Sequence, residues 1–255
     1  MPEPGRGLRH VEHAMGTVFS LDVRDPATPA LRTAVTRAVA WLHHADGVFS
    51  TYRPDSVVSR LGRGEITYRQ CSREVREVLD LCAEAEEVTG GWFSTTAGAV
   101  LDPSGLVKGW AIERVSDLLH AAGARNTCVN GGGDLQLRGE AAPGVPWRVG
   151  IAHPLRPGAV AAVVTGRDLA VATSGTAERG PHILDPHTGE PASGCASVTV
   201  VGRHLTTTDA YATAAFAMGP SAALAWVASL DGHEALTIDT TGRTDRTPGF
   251  PGTDA

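Results

Sequence analysis

The chain has 255 residues, of which 42% are hydrophobic and 20% are charged, and its 28 acidic and 22 basic residues give a formal net charge of −6. This balance argues against a protein whose main partner is a nucleic acid or an anionic membrane. An anionic ligand would need a specific local binding site, because the chain as a whole is negatively charged. No stretch reaches the ~18 consecutive apolar residues of a membrane span. The N-terminal segment lacks both the apolar run of a secretory signal and a cysteine for lipidation, so we expect a cytoplasmic protein.

The first half of the chain predicts helices joined by turns. A strand at 18–23 is followed by Thr28, which is placed to cap a helix that runs to about residue 44. A second amphipathic helix is expected from about 72 to 88, and a third from near Lys108 to Gly123. This half therefore supplies helices that can cover one side of a core.

The second half predicts mainly strands. Short β-rich segments separated by Gly, Pro or Asp turns follow one another from about 127 to 202, and two helices between 208 and 230 precede a last strand at 235–239. Helices and strands come in blocks rather than in βαβ alternation. This order favours an α+β fold with a β-sheet core flanked by helices over a doubly wound sheet. We expect one domain over residues 1–242 and a disordered polar tail at 243–255.

A run of glycines at 131–133 lies between two predicted strands and is followed by Asp134. A dinucleotide-binding fingerprint would need a helix after the glycines, so that interpretation is excluded. Residues without a Cβ let the backbone approach a ligand closely. A tight hairpin with an aspartate cap is the purely structural alternative.

Asp209 and Thr213 stand four residues apart near the start of a predicted helix for which Thr208 is the expected N-cap. This spacing places both side chains on one face. The aspartate is also explained by the positive end of the helix dipole. Alternatively, the carboxylate and the hydroxyl provide oxygen ligands for Mg²⁺, which often shares its coordination shell with substrate phosphates.

Lys108 is the single lysine of the chain and opens the third predicted helix. A cation at a helix start opposes the macrodipole, so helix stability does not explain it, whereas a bound anion would. A solvated surface lysine is the alternative. His182, at a strand end before a proline turn, is a candidate catalytic base because histidine titrates near neutral pH, although a turn-adjacent histidine needs no such role.

Eight ordered segments between His13 and about Gly219 resemble the ApbE family of flavin transferases, the FAD:protein FMN transferases. The segments are HAMGTVFS, STYRPDSVVSRL, TGGWFSTTAG, LDPSGLVKGWAIERV, NTCVNGGGDLQLRG, WRVGIAHP, PHILDPHTGEP and TTTDAYATAAFA. The resemblance implies a single ApbE-like α+β domain in which Mg²⁺ and FAD share one site. It also implies an enzyme that moves FMN onto a Thr or Ser hydroxyl of a partner flavoprotein and releases AMP.

The resemblance further implies individual site residues. The metal ligands would be the backbone carbonyl of Gly105 and the side chains of Asp209 and Thr213. The residues implied to contact FAD are Met15, Tyr52, Trp92, Phe93, Ser94, Asp102, Lys108, Gly132, Gly133, Asp134, His182 and Ile183. The catalytic residues would be Asp209, through the metal, and His182 as the base. Ser94 departs from the family, which usually has an aspartate at this position.

The expected chemistry follows from these roles. Mg²⁺ would polarise the FAD pyrophosphate, Lys108 and the glycine run would hold the phosphates, and His182 would take the proton of the attacking hydroxyl. Two alternatives stay open at this point. An FAD pyrophosphatase would use water as the acceptor, and a non-catalytic FAD-binding protein would be consistent with the change at Ser94.

Overall fold

The computed structural model describes residues 7–98, 100–177 and 180–254. Its strands are β1 (Leu8–Ala14), β2 (Thr17–Val23), β3 (Thr127–Gly131), β4 (Asp134–Arg138), β5 (Trp147–Ala152), β6 (Val160–Gly166), β7 (Ala170–Gly175), β8 (Cys195–Gly202), β9 (Glu234–Asp239), β10 (Thr244–Arg246) and β11 (Gly252–Asp254). Its α-helices are α1 (Pro29–Phe49), α2 (Val57–Gly62), α3 (Arg73–Val88), α4 (Ser104–Ala121), α5 (Leu205–Met218) and α6 (Pro220–Val227).

The strands form two antiparallel sheets. The large sheet has the order β1-β2-β3-β4-β7-β8-β9-β10, and the small sheet has the order β11-β6-β5. Because side chains alternate across a strand, the large sheet contributes to two cores. In β8, Val198 and Val200 pack with the helices, while Val201 packs with the small sheet. The predicted α+β fold is therefore confirmed, with helices on one side of the main sheet and a second small sheet on the other.

The structure confirms one of the two predicted N-caps and corrects the other. In α1, the side chain of Thr28 accepts a hydrogen bond from the Leu31 N–H at 3.1 Å, which confirms the predicted N-cap. The prediction of Thr208 as an N-cap is wrong, because α5 already begins at Leu205. A carboxylate oxygen of Glu113, on α4, accepts hydrogen bonds from the N–H and the hydroxyl of Thr206 and so serves this helix start.

The expected disordered tail is also wrong, and with it the domain boundary at residue 242. Strand β10 pairs with β9, and β11 pairs with β6. Between them, Phe250 is 8% exposed and belongs to the second core. The polar composition of this segment conceals one large apolar side chain, whose burial favours order. Residue 255 lies outside the described residues. No helix in the described part of the chain is long and apolar enough to cross a membrane.

Candidate functional site

A cavity of about 870 Å³ opens between the helical layer, the ends of the main sheet and strand β5. This volume falls within the range that holds a cofactor-sized ligand. Of the site residues that the sequence predicts, all except Asp134 line this cavity. The cavity therefore brings together side chains that lie up to about 200 positions apart in the chain.

Two neighbouring hairpin turns form one rim of the cavity. The β1–β2 turn contains Met15 and Gly16, with φ of 50° and 69°, and the β3–β4 turn contains Gly132 and Gly133, with φ of 60° and 92°. Positive φ at both turn residues matches the right-handed twist of a hairpin. A Cβ on Gly132 would lie 2.8 Å from Thr17 Oγ1, so a side chain there would force Thr17 to move in addition to straining the backbone. Met15 is held in a conformation that non-glycine residues rarely adopt, and such strain is often found at functional sites.

The opposite rim is the segment between α3 and α4. Phe93 is buried, and its N–H donates to Thr89 Oγ1 at 2.9 Å. The ring of Trp92 packs edge-on against His187, with centroids 4.5 Å apart. The Ser94 hydroxyl accepts a hydrogen bond from the Thr96 N–H at 3.2 Å, so the residue that departs from the family pattern stabilises its own turn.

Helix α4 starts four residues before the predicted position because of Asp102. A carboxylate oxygen of Asp102 accepts a hydrogen bond from the Ser104 N–H at 2.9 Å, and α4 begins at Ser104. As a result Gly105 lies in the first turn of α4 and Lys108 one turn further on. A carboxylate at a helix start is favoured by the helix dipole. Asp102 therefore interacts with the start of α4, the helix that carries Lys108.

Helices α4 and α5 come into direct contact at Gly109. A Cβ on Gly109 would lie 2.5 Å from the Leu205 carbonyl oxygen and 2.7 Å from Asp209 Cβ. The N–H of Gly109 donates to Asp209 Oδ2 at 2.9 Å. In a regular helix that N–H donates to the carbonyl of Gly105, so Asp209 competes for the donor that would otherwise satisfy Gly105.

The ammonium group of Lys108 lies among buried carboxylates. Its Nζ is 3.3 Å from Asp209 Oδ1 and 3.2 Å from Asp209 Oδ2, and it forms an ion pair with Asp134 Oδ2. Asp209 is 4% exposed and Asp134 is 1% exposed, so both carboxylates need a nearby cation to offset their desolvation. Lys108 is therefore not a solvated surface lysine.

Asp134 has a different position from the one that the resemblance implies. It does not line the cavity, and its second oxygen, Oδ1, accepts a hydrogen bond from the Thr173 N–H of strand β7 at 2.9 Å. A direct contact between Asp134 and FAD is thus not supported. The side chain instead contacts Lys108 from behind the cavity wall.

The three residues implied as metal ligands converge at the α4–α5 contact. Thr213 lies one turn after Asp209 on α5, and a Cβ on Gly105 would lie 3.3 Å from Thr213 Oγ1. The Thr213 hydroxyl also lies 3.5 Å from the hydroxyl of Ser174. Within the described residues, no group of three or more His, Cys, Asp or Glu side chains could hold a metal ion. The convergent set has one carboxylate, one hydroxyl and one backbone carbonyl, which are hard oxygen donors of the kind that Mg²⁺ accepts.

His182, Ile183 and Tyr52 lie at the cavity mouth. His182 is exposed, and its Nδ1 lies 3.0 Å from the carbonyl oxygen of Gly180. Since a carbonyl only accepts, this contact favours, in the neutral ring, the tautomer that carries the proton on Nδ1 and leaves Nε2 as an acceptor. Ile183 is half-buried beside it, and Tyr52 is 95% exposed.

Several parts of the site have no assigned role in the sequence interpretation, and two of them are structurally informative. One is Gly109, for which a signal existed, since glycine inside a helix is unfavourable unless close packing requires it. The other is the edge of β5: residues 149–154 line the cavity consecutively. Side chains of a strand alternate between two faces, so an unbroken run of lining residues means that the strand edge borders the cavity.

These features define an α+β protein with a large cavity lined by oxygen donors, one ammonium group and two glycine-bearing turns. The chain belongs to the ApbE family, whose family model matches residues 15–102 and 95–237.

Curated relatives carry a common name. The chain is 34% identical over 184 residues to the FAD:protein FMN transferase of Rhodobacter capsulatus, which covers 69% of this chain and 32% of the relative. It is 36% identical over 135 residues to the FAD:protein FMN transferase of Vibrio cholerae, which covers 49% of this chain and 40% of the relative. The matched regions thus span about a third to two fifths of these relatives.

Solved structures share the fold over nearly the whole chain. The flavin transferase ApbE from Vibrio cholerae has a TM-score of 0.84 and 23% identity, covering 97% of this chain and 99% of that one. The ApbE protein from Thermotoga maritima has a TM-score of 0.85 and 23% identity, covering 96% and 98%. At this identity the likeness establishes the architecture.

Proposed function

We propose that the protein is a Mg²⁺-dependent flavin transferase, which cleaves FAD and attaches FMN through a phosphoester to a Thr or Ser hydroxyl of an acceptor flavoprotein. The observation that carries this proposal is the convergence of Asp209, Thr213 and Gly105 beside Lys108 in one cavity. The names of the curated relatives support it.

The donor set fits a divalent cation in two respects. Asp209 already has a cation, the Lys108 ammonium, within 3.3 Å of both carboxylate oxygens. Gly105 lies against Thr213, and the Gly109 N–H that would bond the Gly105 carbonyl in a regular helix donates to Asp209 instead. When bound, Mg²⁺ supplies positive charge to the pyrophosphate oxygens, which stabilises the charge that develops during transfer.

The remaining residues bind and orient the substrates. Lys108 provides a second positive charge near the phosphates, and the turn at Gly132 and Gly133 lets backbone approach them closely. Met15 and Trp92 offer apolar surface to the ring systems.

The transfer step is a substitution at phosphorus. The acceptor oxygen attacks the FMN phosphorus, the bond from that phosphorus to the bridging oxygen breaks, and AMP leaves with that oxygen. The acceptor proton passes to Nε2 of His182, which is an acceptor in the tautomer described above. Because phosphoryl transfer depends mainly on positioning and charge stabilisation, loss of Asp209 should reduce the rate more than loss of His182.

The test is a mass measurement on a candidate acceptor flavoprotein incubated with this protein, FAD and Mg²⁺. We expect the acceptor to gain one FMN on a Thr or Ser, with one AMP released per adduct. Asp209→Ala should lower the rate by at least about a hundredfold, whereas the exposed Asp231→Ala serves as the matched control. Near wild-type transfer by Asp209→Ala would exclude the assigned site. Free FMN with AMP and no adduct would instead indicate a hydrolase, and FAD retention without AMP a binding protein.

A further inference from the structure

One ammonium group serves two buried carboxylates in this structure. Lys108 Nζ contacts both oxygens of Asp209, on α5, and also Asp134 Oδ2, on β4. The side chain of Lys108 is 21% exposed, while those of Asp134 and Asp209 are 1% and 6% exposed. The lysine is thus the accessible member of a group whose negative charges lie behind it.

A divalent cation on Asp209 would occupy the same region as this ammonium. Two cations that share one carboxylate repel each other strongly where the local dielectric is low. The ammonium must therefore move away from Asp209 when the metal binds. Asp134 already contacts the ammonium, and its position is fixed by the hydrogen bond from the Thr173 N–H to Oδ1.

We propose that Asp134 is a positioning residue that retains the Lys108 ammonium when a divalent cation binds to Asp209. Lys108 then has two states. In the metal-free site it neutralises Asp209, and in the loaded site it stays on Asp134 and faces the phosphates. This inference rests on the proposed role of Asp209 as a metal ligand, but its tests use neither FAD nor an acceptor, so its failure is separable from failure of the transferase assay.

The first test uses the wild-type protein, because a chain with one lysine gives one lysine side-chain signal. The protein is labelled with ¹³C at lysine Cε and titrated with Mg²⁺ without FAD. We expect the Cε resonance to shift and to saturate together with metal binding measured by calorimetry. The same titration of Asp209→Ala should leave the resonance unchanged. A wild-type resonance that stays in place while Mg²⁺ binds, or no binding of Mg²⁺ at all, would overturn the proposal.

The second test compares Mn²⁺ affinities by calorimetry. Lys108→Met removes the competing cation and should tighten Mn²⁺ binding by about tenfold, whereas Asp134→Asn leaves the ammonium on Asp209 and should weaken it by about tenfold. Glu113→Gln changes a carboxylate that hydrogen-bonds to Thr206, and is the control expected to stay within about twofold. Unchanged or opposite affinities in the first two variants would contradict the exchange.

The double variant separates positioning from simple charge effects. If Asp134 acts through Lys108, Asp134→Asn should have little effect on Mn²⁺ affinity once Lys108→Met is present. If Asp134 acts only as a distant negative charge, its effect should be the same in both backgrounds. Additive effects would therefore overturn the positioning role even if both single variants behave as expected.

Discussion

Gly109→Ala should destabilise the protein because this glycine allows α4 and α5 to touch. The added Cβ would lie 2.5 Å from the Leu205 oxygen and 2.7 Å from Asp209 Cβ, whereas ordinary contacts start at 3.4 Å. The helices must therefore separate by about 0.7–0.9 Å. Overpacking of this kind costs about 1–3 kcal/mol, and weakening the hydrogen bond to the Asp209 carboxylate costs about 1.5–3 kcal/mol. The higher helix propensity of alanine offsets about 1 kcal/mol of this destabilisation.

The net loss of about 1.5–5 kcal/mol should lower Tm by at least about 3 °C for a chain of this size. Thermal unfolding followed by circular dichroism measures this. Gly47→Ala is the matched control, since Gly47 lies in α1 and its added Cβ meets nothing within 4 Å. That variant should gain about 0.5–1 kcal/mol. If Gly109→Ala melts at or above the wild-type Tm while Gly47→Ala behaves as expected, the close contact of the two helices is incorrect.

Two further predictions concern the second core and the buried thiols. Deleting residues 243–255 removes β10, β11 and Phe250. The deletion should lower the free energy of unfolding, measured by urea denaturation, by at least as much as Phe250→Ala, which is about 3–5 kcal/mol. An unchanged urea midpoint would support the original expectation that this segment is disordered. Burial raises the pKa of Cys82 and of Cys195 to about 12. Because unfolded thiols ionise near pH ~8.5, the unfolded chain loses protons that the native state keeps, so the free energy of unfolding should fall as pH rises from about 9, by up to about 1.4 kcal/mol per thiol per pH unit. Cys82→Ala should make this pH dependence shallower, and an identical slope would refute the assignment.

The sequence allowed the site to be predicted where spacing within one element was sufficient. Asp209 and Thr213 share a face of α5 whichever residue caps the helix, so the error at Thr208 did not affect this prediction. The position of Asp134 could not be predicted in this way. Whether it contacts a ligand or a side chain depends on how β4 lies against α4, and such non-local packing leaves no local periodicity in the sequence.

The C-terminal segment, residues 243–254, shows where a prediction from composition fails. Composition correctly describes residues 243–254 as polar and rich in turns, but order depends on whether a segment can bury enough apolar surface against the rest of the chain. Here the partner surface comes from the second core, which contains Leu236 and Ile238 of β9. A single phenylalanine, Phe250, reaches that core, and two short strands add hydrogen bonds. The average composition of a segment does not predict this order, because it takes no account of the surface against which one apolar side chain can pack.

The contacts of Lys108 also give a physical reason for a lysine at this position in a chain with 21 arginines. Its ammonium is a compact group that donates in three directions, and here it reaches Asp209 and Asp134 at once. A guanidinium is a planar fork that pairs best with one carboxylate or phosphate in a bidentate manner. An arginine at this position would therefore pair best with one of the two carboxylates rather than with both. The proposed exchange between Asp209 and Asp134 favours the smaller cation, which is a reason for lysine at this position that the compositional bias of the rest of the chain does not provide.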